Sequence, residues 1–571
     1  MGIKEDAYRY AVKNAFLHGG KADTGAVVGK IIALHKQTPT FDIKKSMPEI
    51  QKAVQQANAL KKTELEKEFS RFEEAGYELK PKPKRTGLPA IEFAEKGGKV
   101  VTRYAPNPSG AMHFGHARQA ILNHDLARKY NGKFILRFED TDPKTKVPLE
   151  NGERLFIEDL EWLGIKADET FTDSGRFKIY FEHMKKAIEL GKAYVCLCDN
   201  EEWKKKKAKG IACECGAFDK KKNLELFNKM LKHELKEGQA VLRIKTDIAH
   251  PDPSVRDWWA AKIVDVPQHP KLKKEHVFPS YNFAAAIDDH LMGITLIIRG
   301  QEHAQNSTKQ KFLYDYFGWK YPEAIHTGRI KSNIGVLSKS KINALMKTAN
   351  FLGFDDPRLG TIRALRRRGF VPEAIREIMW DIGLKTSDTT VQFERLADAN
   401  RKIIDKIAER IVFIEDPIRL SVRFAKEFVA KLPRHPDNQE KGTKDYSLAA
   451  GLQRFIVSKK QFEKLKVSDI ARLKHAYNIK IMKKSEFDVE ADFFNDTSLQ
   501  GTPIVHWLLE GQTADVEVLL PKGEALEKLQ GLAEKELLKY ETGAHLQLER
   551  FGYVRLDSKQ ANKASAWFTH E

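Results

Sequence analysis

The segment Arg103–Gln119, RYAPNPSGAMHFGHARQ, separates two stretches whose residue patterns predict different secondary structure. Gly98–Ala105 (GKVVTRYA), which overlaps its start, is rich in β-branched residues and predicts a strand. Ala117–Tyr130, which overlaps its end, carries apolar residues at helical spacing and predicts a helix. Gly132–Asp140 (GKFILRFED) predicts a second strand. The resulting β-loop-α-β unit predicts a parallel sheet with a right-handed crossover connection.

The loop inside this unit has the features of a phosphate-binding site. Ligands bind at the carboxyl ends of strands in open parallel sheets, and a helix N-terminus attracts phosphates. His113 and His116 share one face of the first helical turn, and Gly115 lets a flat ring approach the backbone. Two imidazoles there could stabilise the charge of phosphoryl or nucleotidyl transfer. Ordinary loop and helix histidines are the alternative; a metal site is a weaker one, because no third ligand stands nearby at suitable spacing.

A second motif lies much later in the chain, at Gly335–Ile342 (GVLSKSKI). It places Ser338, Lys339, Ser340 and Lys341 on a small turn after a strand-like piece. A flexible loop with a lysine between hydroxyl groups can close over a polyphosphate. Taken by itself, such a turn is more often simply solvated.

Composition narrows the class of protein. The 571 residues suffice for three to five domains, and the formal net charge of +19 favours a polyanionic partner. A generally lysine-rich composition is the alternative explanation of that charge. No run of 18 apolar residues is present, so no membrane span is expected. The first residues carry acids and lack an apolar stretch, which predicts no signal peptide and a cytoplasmic location.

The four cysteines form two Cys-x-Cys pairs, Cys196 with Cys198 and Cys213 with Cys215. A disulfide framework is not expected in a cytoplasmic chain without other cysteines. Four thiolates match a tetrahedral Zn²⁺ site, and four reduced or partly buried thiols are the alternative. The lysine run Glu201–Gly210 lies between the pairs and either contacts phosphates or forms a solvated face.

Together the two motifs resemble the signatures of class I aminoacyl-tRNA synthetases. HFGH matches their HIGH sequence, and VLSKS resembles KMSKS with Val336 and Leu337 in the first two places. Segments that resemble the glutamyl/glutaminyl group in particular are Leu136–Pro143 (LRFEDTDP), Tyr281–His303 and Asp355–Gly369. The resemblance covers roughly residue 98 to the C-terminus and is strongest to the archaeal-type glutamyl branch, whose anticodon-binding region consists of β-barrels.

The resemblance, combined with the pattern along the chain, implies a multidomain fold with an α/β Rossmann-like catalytic domain. Short apolar strands after about residue 410 agree with C-terminal all-β barrels, and charged helical sequence before Pro81–Ala90 (PKPKRTGLPA) predicts an N-terminal appendage and a linker. The expected segments are 1–90 helical appendage, 98–195 catalytic domain first half, 196–280 inserted acceptor-end-binding domain, 281–345 catalytic domain second half, 346–410 helical connecting domain, and 411–571 anticodon-binding barrels.

The resemblance also implies roles for individual residues. His113, His116 and Lys339 are expected to be catalytic, with the lysine acting on the leaving pyrophosphate. The ATP site is expected to comprise Pro106, Pro108, Ser109, Gly110, His113, Gly115, His116, Ser338, Lys339 and Ser340. The glutamate site is expected to comprise Arg103, Ala105, Asn107, Glu139, Tyr281 and Arg299. The parallel N–H groups of an arginine suit a substrate carboxylate, which is why Arg103 and Arg299 are expected in this site. The alternatives are that both arginines are structural, that Tyr281 is a core residue, and that Glu139 is an ion-pair or capping acid.

The implied activity is ATP-dependent attachment of glutamate to tRNA-Glu, with tRNA-Gln as a further candidate substrate. Mg²⁺ is expected to accompany ATP, and a structural Zn²⁺ is expected at the cysteines. The expected partners are tRNA, L-glutamate and ATP, and the expected state is a monomer. Two alternatives remain open: a glutaminyl-tRNA synthetase on the same scaffold, and a non-catalytic tRNA-binding paralogue. RFEDTD and Arg299 favour glutamate over glutamine, and the retained histidines and Lys339 favour an enzyme over a paralogue.

Overall fold

A computed structural model of the chain describes residues 2–17, 19–35, 42–75, 87–348 and 350–571. The chain divides into two compact units, Met1–Thr86 and Gly87–Glu571, each of which is described by itself. The predicted linker Pro81–Ala90 falls mostly outside the described residues, which resume at Gly87.

The first unit is built from helices that pack through small apolar side chains. Its described helices are α1 (Ile3–Leu17), α2 (Thr24–His35), α3 (Ile43–Ala59) and α4 (Lys62–Glu74). Ala7, Ala11 and Ala15 are fully buried at a spacing of four, so one face of α1 lets its neighbours approach closely. The charged helical sequence predicted before Pro81 includes α4, and residues 76–80 lie outside the described residues.

The second unit begins with the strand–loop–helix–strand unit that the sequence predicts. Its first elements are α5 (Glu92–Glu95), β1 (Val101–Tyr104), α6 (Phe114–Lys129), β2 (Lys133–Phe138), α7 (Gly152–Trp162), β3 (Glu169–Thr172) and α8 (Phe177–Glu189). β1 pairs with β2, and β2 with β3, both in parallel. The helix starts three residues earlier than the apolar periodicity indicates, because His113 caps it.

An antiparallel sheet then interrupts the alternation. Its elements are β4 (Ala193–Cys196), α9 (Asn200–Ala208), α10 (Lys220–Leu231), β5 (Val241–Ile244), β6 (Trp259–Ile263) and β7 (Val277–Pro279). The four strands lie side by side in chain order, each antiparallel to the next. The sheet is thus an insertion between the two halves of the parallel sheet.

The chain then returns to the parallel sheet and continues into helices. These elements are α11 (Tyr281–Leu291), β8 (Leu296–Gly300), α12 (Ala304–Phe317), β9 (Glu323–Thr327), β10 (Ile330–Ser332), α13 (Lys339–Leu345), α14 (Ile362–Arg368), α15 (Pro372–Ile382), β11 (Thr389–Val391) and α16 (Phe393–Ile404). The helical sequence between Asp355 and Leu384 is divided between α14 and α15, because Gly369 ends the first helix and Pro372 begins the second.

The completed parallel sheet has the strand order β3-β2-β1-β8-β9. The order changes direction between β1 and β8, which pair in parallel at Thr102 and Leu296. The crevice at the carboxyl ends of two such strands is where open parallel sheets bind ligands. The loop that follows β1, from Ala105 to His113, begins in that crevice.

Two seven-stranded sheets and the two-stranded antiparallel sheet β15-β16 form the C-terminal part of the chain. The elements are β12 (Glu409–Ile411), β13 (Phe413–Ile414), β14 (Pro417–Ala425), β15 (Phe428–Pro433), β16 (Thr443–Leu448), β17 (Gly451–Ser458), α17 (Lys459–Glu463), β18 (Ile470–Leu473), β19 (Asn478–Lys484), β20 (Asp488–Asn495), β21 (Ile504–Val505), β22 (Trp507–Leu509), β23 (Thr513–Lys522), β24 (Ala525–Glu534), β25 (His545–Leu548), β26 (Gly552–Gln560) and β27 (Lys563–His570).

Both seven-stranded sheets curl until their edges nearly meet. One has the order β12-β25-β26-β27-β23-β24-β13, and the other has the order β21-β18-β19-β20-β14-β17-β22. In each case the two outermost strands are consecutive in the chain, separated only by Val412 or by His506. A single residue spans a few ångströms, so the edges lie close together and the sheets are near-closed barrels. The parallel sheet, the helical regions and these barrels confirm the predicted fold class.

Within the described ranges of the chain, no helix is long and apolar enough to cross a membrane.

Candidate active site

The two histidines of the first motif organise the start of α6. His113 is the N-cap residue, and its Nδ1 accepts a hydrogen bond from the backbone N–H of Gly115 at 3.1 Å. The backbone N–H of His113 donates to Nδ1 of His116 at 3.4 Å, and the two rings stack with centroids 3.6 Å apart. Because a Cβ at Gly115 would lie 3.1 Å from the His113 ring, a glycine there leaves room for the capping ring. This packing role adds to the predicted approach of a nucleotide base.

The second motif lies beside the first one. The segment Leu359–Ile362 runs between them: Gly360 accepts a hydrogen bond from the N–H of Phe114 at 2.9 Å, and its own N–H donates to the carbonyl of Val336 at 2.9 Å. The backbone N–H of Ile362 donates to the carbonyl of Met112, also at 2.9 Å. Two motifs far apart in the sequence are therefore held on either side of one short strand-like segment.

The turn predicted for the second motif contains the start of a helix. Ser338 is the N-cap of α13, Lys339 is its first residue, and the hydroxyl oxygens of Ser338 and Ser340 lie 3.1 Å apart. Lys341 forms an ion pair with Glu524, which lies at the turn between β23 and β24. Lys341 is thus an exposed lysine of this turn with an acidic partner from the barrel region.

The loop after β1 is fixed to the end of β2 by hydrogen bonds. Asn107 Nδ2 donates to the carbonyl of Glu139 at 2.9 Å, and the N–H of Glu139 donates to the carbonyl of Pro106 at 3.0 Å. The N–H of Ser109 donates to Asn107 Oδ1 at 3.1 Å, which folds the loop back on itself. All the loop residues predicted for ATP or glutamate are thus held in one turn, namely Ala105, Pro106, Asn107, Pro108, Ser109 and Gly110.

A buried network of arginines and carboxylates lies under this loop. Arg103 donates from Nε and Nη2 to the two carboxylate oxygens of Asp289, at 3.0 and 3.3 Å. Arg137, which is fully buried, donates to Asp289 at 2.8 Å and to Glu139 at 3.0 Å. Burial raises the pKa of Glu139. Burial would also raise the pKa of Asp289, but Arg103 and Arg137 outweigh it and hold that pKa below its ordinary value.

Arg299 has a different set of partners from the other two arginines. It is 5% exposed, and Nη2 donates to Ser307 at 2.6 Å and to Gln310 Oε1 at 3.0 Å. Nη1 donates to the hydroxyl of Tyr281 at 3.3 Å. All the hydrogen-bond partners found for Arg299 in the described part of the chain are neutral side chains, so its charge is not compensated by direct contact with a carboxylate.

Tyr281 connects the arginines to the inserted sheet. It is the first residue of α11, two residues after the end of β7, and α11 also carries Asp289. Burial raises the pKa of Tyr281 to about 12, so its hydroxyl stays neutral and can both accept and donate hydrogen bonds. The predicted residues Arg103, Glu139, Tyr281 and Arg299 therefore belong to one crevice.

The four cysteines lie apart from this crevice, in the inserted sheet. They form no disulfide bonds, and all four sulfur atoms lie within 4.8 Å of one another. Cys213 Sγ lies 3.6 Å from Cys196 Sγ and 3.3 Å from Cys198 Sγ, and Cys198 Sγ lies 4.0 Å from Cys215 Sγ. Sulfurs bound to one tetrahedral Zn²⁺ at about 2.3 Å lie roughly 3.8 Å apart. The cluster therefore has the dimensions of a metal site.

Sequence reasoning missed several members of the crevice. Asp289 and Arg137 lie in segments that resemble the glutamyl/glutaminyl group, but the motifs assign them no role. The signal for Arg137 is a charged residue within the apolar strand KFILRF, which indicates a buried ion pair. Ser307, Gln310 and His326, which surround Arg299, give no comparable signal, because neutral polar residues on helices and strands are common on surfaces.

Comparison with known proteins agrees with this architecture. The family model described as tRNA synthetases class I (E and Q), catalytic domain, matches residues 99–406, and the model of the anti-codon binding domain of the same class matches residues 408–493. Glutamate–tRNA ligase of Pyrococcus abyssi is 44% identical, and that of Pyrococcus horikoshii is 45% identical, each over the whole of both chains.

A solved structure of a glutamate tRNA ligase from Elizabethkingia meningosepticum matches at 22% identity with a TM-score of 0.41, covering 54% of this chain and 70% of the other. The two family models together account for most of the second unit, and the archaeal relatives extend the similarity to full length. The chain therefore belongs to the class I tRNA synthetases of the E and Q group.

Proposed function

We propose that this protein is a glutamate–tRNA ligase, which activates L-glutamate with ATP and transfers it to the 3′ end of tRNA-Glu. The observation that carries the choice of amino acid is the buried Arg299, whose hydrogen-bond partners among the described residues are all neutral. A buried guanidinium without a carboxylate partner is costly, and a substrate carboxylate would compensate it. The neutral amide of glutamine would leave that cost in place, so Arg299 favours glutamate over the glutaminyl alternative.

The remaining glutamate contacts follow from the crevice. Tyr281 would hydrogen-bond the substrate beside Arg299, and Arg103 would use Nη1, which forms no hydrogen bond within the described residues. Glu139 would receive the substrate amino group, a cation that would favour its ionised form despite burial. The loop residues Ala105 and Asn107 would close the pocket from the end of β1.

We assign ATP to the loop between β1 and α6. The triphosphate would lie at the N-terminus of α6 against His113 and His116, where the helix dipole would favour an anion and the two imidazoles would donate hydrogen bonds to it. Gly115 would lie against adenine. The other contacts in this assignment are Pro106, Pro108, Ser109, Gly110, Ser338, Lys339 and Ser340, and Mg²⁺ would accompany the phosphates.

The reaction requires no nucleophile from the protein. A carboxylate oxygen of glutamate attacks the α-phosphorus of ATP, pyrophosphate leaves, and the terminal ribose hydroxyl of tRNA then attacks the carbonyl of glutamyl-adenylate and releases AMP. Catalysis thus rests on positioning and on stabilising charge at the phosphates. His113 and His116 would stabilise the charge that develops at the α-phosphate, and Lys339 would stabilise the leaving pyrophosphate.

The test measures ATP–pyrophosphate exchange and tRNA charging with glutamate and with glutamine, each with and without tRNA. We expect exchange and charging with glutamate when tRNA is present. Exchange with glutamine alone would contradict the proposed amino acid. Failure of both amino acids in the presence of tRNA would contradict an enzymatic function and favour the tRNA-binding paralogue. Separate charging of tRNA-Glu and tRNA-Gln decides whether the second tRNA is also a substrate.

We further propose that Cys196, Cys198, Cys213 and Cys215 hold one structural Zn²⁺. The sulfur separations fit a tetrahedral ion, and the backbone N–H of Leu197 donates to Cys215 Sγ at 3.4 Å, as donors around metal-bound thiolates do. A bound ion would fix the short helix α9 and its lysines to β4. We expect about one Zn²⁺ per chain by metal analysis, and Cys213→Ser is expected to lower both zinc content and thermal stability. A fully active, metal-free preparation would contradict this proposal.

A further inference from the structure

Two nitrogens of Arg299 are held by side chains that accept hydrogen bonds without carrying a charge. Nε contacts His326 on β9, which is the register partner of Arg299 across the parallel pair β8–β9. Nη2 contacts Ser307 and Gln310, which lie three residues apart on α12 and therefore share one face of that helix. Strand pairing and helical spacing thus place His326, Ser307 and Gln310 around one guanidinium, and we call these three residues the Arg299 cradle.

Two donors converge on one nitrogen of His326. Arg299 Nε, which can only donate, lies 3.5 Å from His326 Nε2, and Ser307 Oγ lies 3.0 Å from the same nitrogen. Ser307 Oγ already accepts a hydrogen bond from Arg299 Nη2 at 2.6 Å, so its own hydrogen can be donated to His326. An imidazolium has no acceptor nitrogen. His326 therefore fits this position only as a neutral ring that carries its proton on Nδ1.

The surroundings of His326 favour the same neutral form. Burial lowers the pKa of His326, and the charges of Arg299, Arg103 and Lys311 lower it further. The other partners of Arg299 are serine and glutamine, which do not titrate, and two tyrosines, whose hydroxyls ordinarily lose a proton only near pH 10. Within the described ranges of the chain, no hydrogen-bond partner of Arg299 therefore becomes negative near neutral pH.

Gln310 is a second neutral acceptor in the cradle. It is 1% exposed, and its Oε1 accepts hydrogen bonds from Arg299 Nη2 at 3.0 Å and from the hydroxyl of Tyr321 at 3.3 Å. Its amide Nε2 is buried and has no hydrogen-bond partner among the described residues. Gln310 thus supplies an acceptor and an unused donor beside Arg299, and it supplies no negative charge.

Asp289 in the same crevice shows what a carboxylate does in such a position. It accepts hydrogen bonds from Arg103 with both oxygens, and Arg137 donates to it at 2.8 Å. The charges of those two arginines are therefore compensated inside the protein. A carboxylate in the Arg299 cradle would compensate Arg299 in the same way and compete with a substrate carboxylate. A neutral acceptor holds the guanidinium in place and leaves its charge available.

We propose that His326 and Gln310 are specificity-determining residues, because as neutral acceptors they fix the orientation of Arg299 and leave its charge to a carboxylate of the substrate. The inference rests on the proposed function, since it explains how Arg299 distinguishes glutamate from glutamine. Both residues act through Arg299 and are therefore positioning residues. An acid at either position should weaken the binding of glutamate more than it slows the chemical step.

The experiment compares variants of similar shape that differ in charge. Gln310→Glu exchanges an amide for a carboxylate, and His326→Glu is compared with His326→Gln. Steady-state aminoacylation gives kcat and KM for glutamate and for glutamine. We expect each acid variant to raise the KM for glutamate about tenfold or more, and to lower the preference for glutamate by a similar factor, while kcat changes less than about threefold. His326→Gln keeps a neutral acceptor and should raise this KM less than about threefold.

Glu323→Gln is the matched control. It changes the charge of β9 by one unit at an exposed position, three residues before His326. We expect kcat and KM of this variant to stay at the wild-type values. Thermal unfolding identifies any variant that has not folded, and Gln310→Glu tests the same point as His326→Glu from a different element.

Equal losses in His326→Gln and His326→Glu, or losses confined to kcat, would give the cradle a purely structural role and overturn the inference. Folded acid variants with the wild-type KM and the wild-type preference would overturn it as well. When the wild-type protein charges tRNA with glutamate, these outcomes contradict only the inference about the cradle. A wild-type protein that does not charge tRNA with glutamate contradicts the proposed function, and this inference with it.

Discussion

Arg299 and Arg103 lie in the same crevice but differ in their hydrogen-bond partners. Arg103 already bonds both carboxylate oxygens of Asp289, and only one of its terminal nitrogens remains for a substrate. Arg299 bonds a tyrosine, a serine and an amide, and no carboxylate among the described residues. Specificity for a charged substrate side chain should therefore depend on Arg299 more strongly than on Arg103.

The first prediction is that Arg299→Gln lowers kcat/KM for glutamate about a hundredfold. The substitution keeps a hydrogen-bonding side chain but removes the charge, and hydrogen bonds to charged groups contribute about 1.5–3 kcal/mol. The measurement is steady-state aminoacylation with glutamate and glutamine as competing substrates. We expect the preference for glutamate over glutamine to fall together with this kcat/KM.

Tyr321→Phe provides the control for that experiment. It removes one neutral partner of Arg299, at 3.4 Å, without changing the charge in the pocket. We expect a loss of no more than about fivefold, in line with about 1 kcal/mol for a neutral hydrogen bond. An Arg299→Gln variant that keeps its preference for glutamate would show that another group reads the substrate carboxylate.

The second prediction concerns His116 and Lys339. We expect His116→Ala and Lys339→Ala each to lower the rate of adenylate formation by about a hundredfold or more, as the loss of one preorganised charge-stabilising donor does. Single-turnover formation of adenylate with saturating tRNA measures this rate, and filter binding measures tRNA affinity, which should remain near normal.

Lys341→Ala is the matched control, since Lys341 lies two residues from Lys339 and is paired with Glu524 on the surface. Exposed ion pairs contribute about 0–1 kcal/mol, so this variant should activate glutamate at nearly the wild-type rate. Wild-type activation by either the His116 or the Lys339 variant would refute its catalytic role.

At the scale of elements, the parts of the fold that follow from local sequence patterns could be predicted, whereas contacts between residues far apart in the sequence could not. The strand–loop–helix–strand unit, the helices after Asp355 and the C-terminal strands follow from periodicity and turn residues, which act over a few positions. The pairing of Arg103 with Asp289 and the segment Leu359–Ile362 between the two motifs could not be predicted, because contacts across such separations leave no periodic pattern. Candidate site residues such as Arg299 could be proposed from motifs in the sequence, whereas the neutral partners of Arg299 could not.

The third prediction is made for the junction of α14 with the last barrel strand. Gly369 ends α14 with φ of +105°, and a Cβ there would lie 2.4 Å from Thr569 Oγ1 on β27. Gly369→Ala should therefore lower the free energy of unfolding by about 1–3 kcal/mol, through both backbone strain and a clash. Thermal unfolding of the full chain, followed by circular dichroism, measures the loss as a lower Tm.

Gly318→Ala is the comparison for this effect. Gly318 ends α12 with φ of +71°, and no atom lies within 4 Å of the Cβ position. Gly318→Ala should therefore lower the free energy of unfolding by only about 1 kcal/mol, through backbone strain alone. If both variants unfold at the same temperature, the contact between α14 and β27 does not contribute to stability.

At the scale of the whole molecule, basic residues are distributed over several parts of the chain. The lysines of α9 belong to the inserted sheet, the arginines of α14 to the helical region, and +19 is the formal net charge of all 571 residues. Many of these cations have acidic partners; Arg363 and Arg367, for example, pair with Asp159 and Asp557. Net charge alone therefore does not distinguish a tRNA-binding surface from a generally lysine-rich composition.

The last prediction separates these two explanations by salt. If cations of this chain contact tRNA phosphates, binding releases counterions, and a protein with six or more contacts loses about a thousandfold in affinity between 50 and 200 mM salt. We expect a loss of at least a hundredfold for tRNA, measured by anisotropy. The KM for glutamate should change less than about threefold, because its contacts lie in a buried crevice that salt screens little. A tRNA affinity that hardly changes with salt would assign the excess charge to composition rather than to RNA binding.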